Sequence, residues 1–371
     1  MSEEFFLLTH RKEIAVEAVR QGFDVTLIAK NTGRRTEIEA LGVKMIDLPV
    51  NPTGMNLRQE LKTFNFLRRV YRRERPDIIH HVGLKSVLWG GLAARFSGIH
   101  ALIINAISGL GITFSHDKLS LVARGILLAI RFAGGRNVRF IFQNHEDESL
   151  FLEHKITAPD RNVFIKGSGI DLQLYDYAPI PDAEPVKILF TARMVAEKGV
   201  GVLVEAAERL RSKYEGHVEF LMCGSLSKNP NAISRQWLEE HCDGKYIQWL
   251  GHRSDVRELL GSSHIVAFPS YYREGVPKSL IEACAVGRPI VTCNSTGCRD
   301  TVDDGVNGFL IPPKDSEILA EKLQLLIENK ELRVRMGLAS RKKAESEFSV
   351  ADVVCKHMEL YRLAKPNCYD K

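Results

Sequence analysis

The chain has 371 residues, 44% hydrophobic and 26% charged, which suits two ordinary globular domains better than one. No apolar run approaches the roughly 20 residues of a membrane span, and the start lacks the basic and apolar regions of a secretory signal, so the sequence reads as cytoplasmic. The seven cysteines all lie in the second half and none has C-x-x-C spacing, which argues against a disulfide framework and a zinc site.

From the amino terminus, Phe5-Phe6-Leu7-Leu8 is the only trace of an opening strand before a helical pattern over 13–21. A doubly wound domain should open with a strand and a glycine-rich turn. The first strand is therefore expected to be short or missing. Short apolar runs then predict buried parallel strands over 24–29, 43–48, 77–81, 102–106, 139–143 and 163–166. Helical patterns separate them over 57–74, 85–96, 118–133 and 146–154. The whole net charge of +5 lies in this half, densest at Arg68, Arg69, Arg72, Arg73 and Arg75. The aromatic interleaving of a single-strand nucleic-acid binder is missing, so no nucleic-acid partner is expected. An anionic membrane surface or a pyrophosphate-bearing substrate fits the charge.

Residues 177–185 hold three prolines and predict a stiff connector. Beyond it the alternation restarts, with strands over 186–191, 218–222, 247–250, 264–268 and 289–293. Helices are expected over 201–214, 232–241, 255–260, 277–286, 316–328 and 331–347. The expected domains are 1–176 and 186–349, with an amphipathic helix in 350–371 crossing back to the first. Alternation of this kind is α/β, doubly wound, in both halves.

The most specific constellation is Glu274-Gly-Val-Pro-Lys-Ser-Leu-Ile-Glu282, two glutamates eight positions apart. It follows a strand; Gly275 frees the backbone and Pro277 suits a first helical turn. The helix start offers unpaired N–H groups to a diphosphate, and the carboxylates flanking it can accept hydrogen bonds from sugar hydroxyls. Arg193 and Lys198, in Thr191-Ala-Arg-Met-Val-Ala-Glu-Lys-Gly199, stand at the carboxyl edge of the preceding strand, where open α/β sheets bind ligands. His252-Arg253 and the turn Asp303-Asp-Gly-Val-Asn-Gly308 complete the set. In the first half, His81 and Lys85 lie at a strand end and a helix start, Gly109 and Gly111 follow the next strand, and Asn144 stands at a further strand-to-helix turn.

Together these motifs resemble the retaining glycosyltransferases of family 4, closely over 186–313 and more loosely over the first half. The resemblance implies the GT-B fold of two facing Rossmann-like domains, the first for the acceptor and the second for a nucleotide-sugar. It implies that Arg193 and Lys198 bind the donor diphosphate, that Glu274 contacts the transferred sugar, and that Glu282 contacts the ribose. Gly275, Ser279 and Leu280 would meet the phosphates, and Arg253 would lie near the base. His81 and Lys85 would act beside Glu274 in catalysis, with Gly109, Gly111 and Asn144 on the acceptor side. No metal or other cofactor is expected, since no D-x-D pair stands at a strand end. The first half looks like bacterial enzymes that extend polyprenyl-diphosphate-linked sugars. That implies a UDP-sugar donor, a glycan or lipid-linked acceptor, and peripheral inner-membrane contact through the basic, apolar stretch 118–139. A sugar-nucleotide epimerase uses a similar fold, but would not be expected to carry the paired glutamates. A catalytically impaired sugar-nucleotide binder is the other alternative. A dinucleotide redox enzyme is disfavoured, because no G-x-G here has its third glycine.

Overall fold

The computed structural model describes residues 3–49, 57–114, 119–135, 137–227 and 231–364. Lys118, Arg136 and Cys368 lie outside them. The chain forms two compact units, one of residues 1–169 with 350–371 and one of residues 170–349.

The first unit runs α1 (Phe5–His10), α2 (Lys12–Arg20), β1 (Thr26–Ala29), α3 (Arg35–Glu39), β2 (Lys44–Asp47), α4 (Leu57–Glu74), β3 (Ile78–Val82), α5 (Leu84–Arg95), β4 (Leu102–Ile107), α6 (Leu121–Ala133), β5 (Val138–Phe142), α7 (His145–Glu153) and β6 (Asn162–Phe164). Its described strands form two parallel sheets rather than one, β1-β2 and β3-β4-β5-β6. Phe5-Phe6-Leu7-Leu8 is not a strand: it opens α1, burying Leu7 and leaving Phe5 and Phe6 exposed. The buried Glu4 carboxylate holds this turn in place. Its Oε1 accepts hydrogen bonds from Thr32 N (2.5 Å), Thr32 Oγ1 (2.9 Å) and Arg34 N (3.1 Å).

The second unit runs β7 (Val186–Thr191), α8 (Val200–Tyr214), β8 (Val218–Cys223), α9 (Arg235–His241), β9 (Ile247–Gly251), α10 (Val256–Ser262), β10 (Ile265–Phe268), α11 (Lys278–Val286), β11 (Ile290–Cys293), β12 (Gly308–Ile311), α12 (Ser316–Glu328) and α13 (Lys330–Glu347). Its six described strands make one parallel sheet in the order β12-β11-β10-β7-β8-β9. Every residue of β10 and β11 is buried, as expected for strands covered by helices on both faces. From β7 the chain winds outward to β9, then returns to lay β10 on the other side of β7. The winding therefore reverses between β7 and β10, and a doubly wound sheet opens its crevice there, beyond the strands' carboxyl ends.

The division between units falls at Gly169 and Ile170, not in the proline-rich connector. Residues 177–185 are instead strapped onto the second unit. The fully buried Arg288 donates to Ala178 O (2.5 Å), Pro179 O (3.3 Å) and Ser263 O (3.0 Å). His264 accepts from Lys187 N and bonds Ala183 O, each at 3.0 Å. Proline density marks stiffness, and here the stiff segment lies along a domain surface. The last helix, α14 (Val350–Arg362), belongs to the first unit, where Val353, Met358 and Leu360 share a core with Ile14, Ala18, Ile104 and Ile141.

Candidate active site

The loops after β7 and β10 meet at the reversal point. Gly199, at φ +83°, lets them touch: a Cβ there would lie 2.1 Å from Pro269 O. This approach brings Lys198 against the β10 loop. Its ammonium lies 2.5 Å from Glu274 Oε2, and each side chain is only 14% exposed. The same ammonium stands 5.2 Å over the Phe268 ring, so aromatic faces shield the pair from water.

Ser270, fully buried, fixes the other carboxylate oxygen. Its hydroxyl lies 2.8 Å from Glu274 Oε1 and 3.2 Å from Glu197 O. Ser295 in turn donates to Ser270 O at 2.8 Å. Behind Glu274 the chain passes Gly297, whose φ is +82° and whose Cβ would fall 1.6 Å from Gly275 O. Neither Ser270 nor Gly297 stands out in the sequence. The signal for Ser270 is its place two residues past the apolar strand that precedes Glu274.

Arg193 is exposed and has no ion pair among the described residues. It follows β7 directly, so a cation is available at the sheet's carboxyl edge. Helix α11 starts with Pro277 as its cap and no side-chain cap bond. The Leu280 N–H, expected to meet phosphate, already bonds Pro277 O at 3.1 Å. The Ser279 N–H has no acceptor among the described residues and remains able to meet an anion. Glu282 lies one turn further along the helix, where its Oε1 accepts from Tyr175 Oη at 3.2 Å. Burial raises its pKa, against the opposing pull of Lys278 and of the Tyr175 bond. Arg253 is exposed and forks onto Asp255, which fixes its guanidinium at the loop after β9. Among the described residues, no group of three or more His, Cys, Asp or Glu side chains is placed to hold a metal ion.

Of the first-unit candidates, His81 and Asn144 are engaged inside the fold. His81, on β3, is 4% exposed, and both ring nitrogens are used: Nδ1 with Asn105 Oδ1 at 2.8 Å and Nε2 with Tyr71 Oη at 3.0 Å. Desolvation lowers its pKa to about 4 despite the Asn105 bond. A neutral ring with both nitrogens bonded internally has none left for a substrate, so His81 orders β3, β4 and α4. Lys85 pairs with the buried Glu60 at 2.5 Å. Asn144 is fully buried and caps α7, accepting from Asp147 N at 2.8 Å and donating to Asp147 Oδ2 at 3.1 Å. Both bonds hold the start of α7. Gly109 and Gly111 flank the buried Leu110 in the turn after β4.

The profile described as Glycosyl transferases group 1 matches residues 178–343, and the one described as Glycosyl transferase 4-like matches residues 5–144. The chain is 27% identical, over 91% of its length and 90% of the relative's, to the N,N'-diacetylbacillosaminyl-diphospho-undecaprenol alpha-1,3-N-acetylgalactosaminyltransferase of Campylobacter jejuni. It is 24% identical, over 91% and 89%, to the UDP-Gal:alpha-D-GlcNAc-diphosphoundecaprenol alpha-1,3-galactosyltransferase of Escherichia coli. The crystal structure of Anabaena HepE in complex with UDP superposes with a TM-score of 0.74 at 17% identity, covering 95% of this chain and 96% of that one. Both profiles match in order, so the chain joins a glycosyl transferase 4-like half to a glycosyl transferases group 1 half, and over nearly its whole length it shares the GT-B fold.

Proposed function

We propose that the protein is a retaining hexosyltransferase of family 4, moving a sugar from a UDP-linked donor to a polyprenyl-diphosphate-linked glycan. The observation that carries the donor half is the Lys198–Glu274 pair at the reversal point, with Arg193 and the start of α11 on the same unit. The acceptor half rests on the two relatives, both named for undecaprenol-diphosphate substrates.

In this reading the donor's diphosphate replaces Glu274 as the partner of Lys198, which frees the carboxylate for a sugar hydroxyl. Arg193, Lys198 and the Ser279 N–H take up the negative charge that grows on the departing diphosphate. The bond from the anomeric carbon to the diphosphate oxygen breaks. The acceptor oxygen bonds the same face, and its proton passes to the leaving diphosphate. No protein nucleophile and no metal ion takes part. Glu282, held by Tyr175, bonds the ribose.

The test is a titration of the purified chain with UDP, GDP and their sugar conjugates, read by thermal shift. UDP is expected to raise the midpoint, and the rise is expected to vanish in Arg193→Ala. UDP release should then require an acceptor. Release without an acceptor would point to an epimerase or hydrolase and sink the transferase reading.

We also propose that α6 docks on the cytoplasmic face of an anionic bilayer. Leu121, Val122, Leu128 and Phe132 are between 51% and 85% exposed on this helix, beside Arg124 and Arg131. An amphipathic face of this kind inserts apolar side chains while its arginines meet lipid phosphates. Among the described residues no helix is long and apolar enough to cross a membrane. Leu121→Glu with Leu128→Glu should cut co-sedimentation with phosphatidylglycerol vesicles at least fivefold. Undiminished binding would rule α6 out.

A further inference from the structure

The segment that opens the second unit is tied down along α11. Asp171 Oδ1 accepts from Gln173 N at 2.9 Å and Leu174 N at 3.1 Å, and Tyr175 N bonds Asp171 O at 2.8 Å, so residues 171–175 close as one turn. Two arginines anchor that turn to the helices beside it. Arg341 of α13 donates to Tyr175 O and to Ala285 O of α11, each at 2.8 Å. Arg257 of α10 donates to Leu174 O at 3.0 Å. Just beyond, Ala178 N bonds Val286 O at 3.2 Å. The half-buried Tyr175 side chain packs on the unit's core, and among the described residues its hydroxyl has one partner, Glu282 Oε1, 107 positions away in the chain. The second carboxylate oxygen, Oε2, has no partner among the described residues and is not sealed from solvent.

We infer that Tyr175 is a specificity-determining residue for the nucleotide: by occupying Oε1 it aims Oε2 at the donor's ribose hydroxyls, so that the site separates a ribonucleotide from its deoxy analogues. This rests on the donor reading given above, in which Glu282 meets the ribose. The last torsion of a glutamate is broad, and a carboxylate that turns freely bonds water as readily as a ligand. A phenol on a clamped backbone removes that freedom. An oxygen fixed toward a hydroxyl is then left unpaired by an analogue lacking it, which is how such a site discriminates. The phenol also favours the ionised carboxylate, the stronger acceptor, whereas burial raises the pKa of Glu282. Tyr175→Phe removes this donor and keeps the ring and the backbone clamps. Lys278 of α11, Arg257 and Glu258 of α10 and Arg341 of α13, the charged groups around the pair, stay as they are.

The experiment is calorimetric titration of the full chain with UDP, 2′-deoxy-UDP and 3′-deoxy-UDP. The parent is expected to prefer UDP to at least one deoxy analogue by about tenfold or more. Tyr175→Phe should cut that preference about fivefold, with its thermal midpoint within about 4 °C of the parent. All three nucleotides carry the same diphosphate, so the ratio of affinities is free of its titration. That ratio should fall on acidification as Glu282 takes up a proton. In Tyr175→Phe the fall should begin at higher pH, because the bond that lowers the carboxylate's pKa is gone. A purely packing role for Tyr175 would move neither the ratio nor its pH profile. A parent that binds all three nucleotides alike, or a Tyr175→Phe protein that keeps the parent's ratio and profile, overturns the inference. Failure of the parent to bind UDP, or a preference that survives Glu282→Ala, instead removes the donor reading and the inference with it.

Discussion

Replacing Glu274 with Gln is expected to lower sugar transfer by about 10²- to 10³-fold while leaving UDP binding within about threefold of the parent. The split follows from the geometry. Glu274 is held by Lys198 on one oxygen and by Ser270 on the other, so its carboxylate is aimed before any donor arrives. Glutamine keeps the shape and one acceptor oxygen but loses the charge that strengthens a bond to a sugar hydroxyl. Alanine is a poorer probe. It strands a mostly buried Lys198 without a partner, and the resulting loss of stability would blur the kinetic reading. Unchanged turnover in Glu274→Gln would remove this residue from the reaction and leave it as the counter-ion of Lys198.

Gly297→Ala is expected to destabilise the second unit by about 3–4 kcal/mol, lowering its midpoint by about 8–14 °C, and to abolish transfer even where folding survives. Two penalties coincide there. The residue sits at φ +82°, where an L side chain is strained, and the new methyl would fall 1.6 Å from Gly275 O and 2.8 Å from Glu274 O. Relief requires the backbone that carries Glu274 to move. Calorimetry together with transfer assays checks both parts. A midpoint within about 2 °C of the parent would show that the loop gives way freely and that the carboxylate is not held by this contact.

Much of the second unit is legible in its sequence, because its strands are short apolar runs bounded by turn residues. The expected and observed limits of β7 coincide at 186–191, and those of β8 to β11 differ by one residue. Strand β12 is hidden. Its four residues lie between a glycine turn and Pro312, too few to show a period, and only tertiary pairing with β11 makes them a strand. In the first unit α1 escapes for the opposite reason. Two phenylalanines and two leucines in a row resemble a strand remnant, yet the buried Glu4 carboxylate ties their start to Thr32 and Arg34 and the turn closes as a helix.

The candidate site divides in the same way. Lys198 and Glu274, 76 positions apart, were singled out by residue type and by position after strands, and the fold brings them to 2.5 Å. Polar residues at strand ends in the first unit gave the same signal but a different outcome. The sequence pattern reports that His81 ends a strand; it does not report that Tyr71 and Asn105 occupy both of its nitrogens. Asn144 likewise carries the signature of a helix cap as strongly as that of a binding residue.

The return of α14 to the first unit sets an order on biosynthesis. The first 169 residues leave the ribosome well before Val353, Met358 and Leu360, which share the core around Ile14, Ala18, Ile104 and Ile141. The second unit, contiguous from 170 to 349, is free to close while that core waits. Its two ends already meet, with Ile170 N bonding Phe348 O at 2.8 Å, so it behaves as an insert that could be excised as one piece. A nascent chain stalled before Val350 would therefore present a folded second unit beside a first unit with an uncovered apolar face. That is the species on which chaperones and proteases would act.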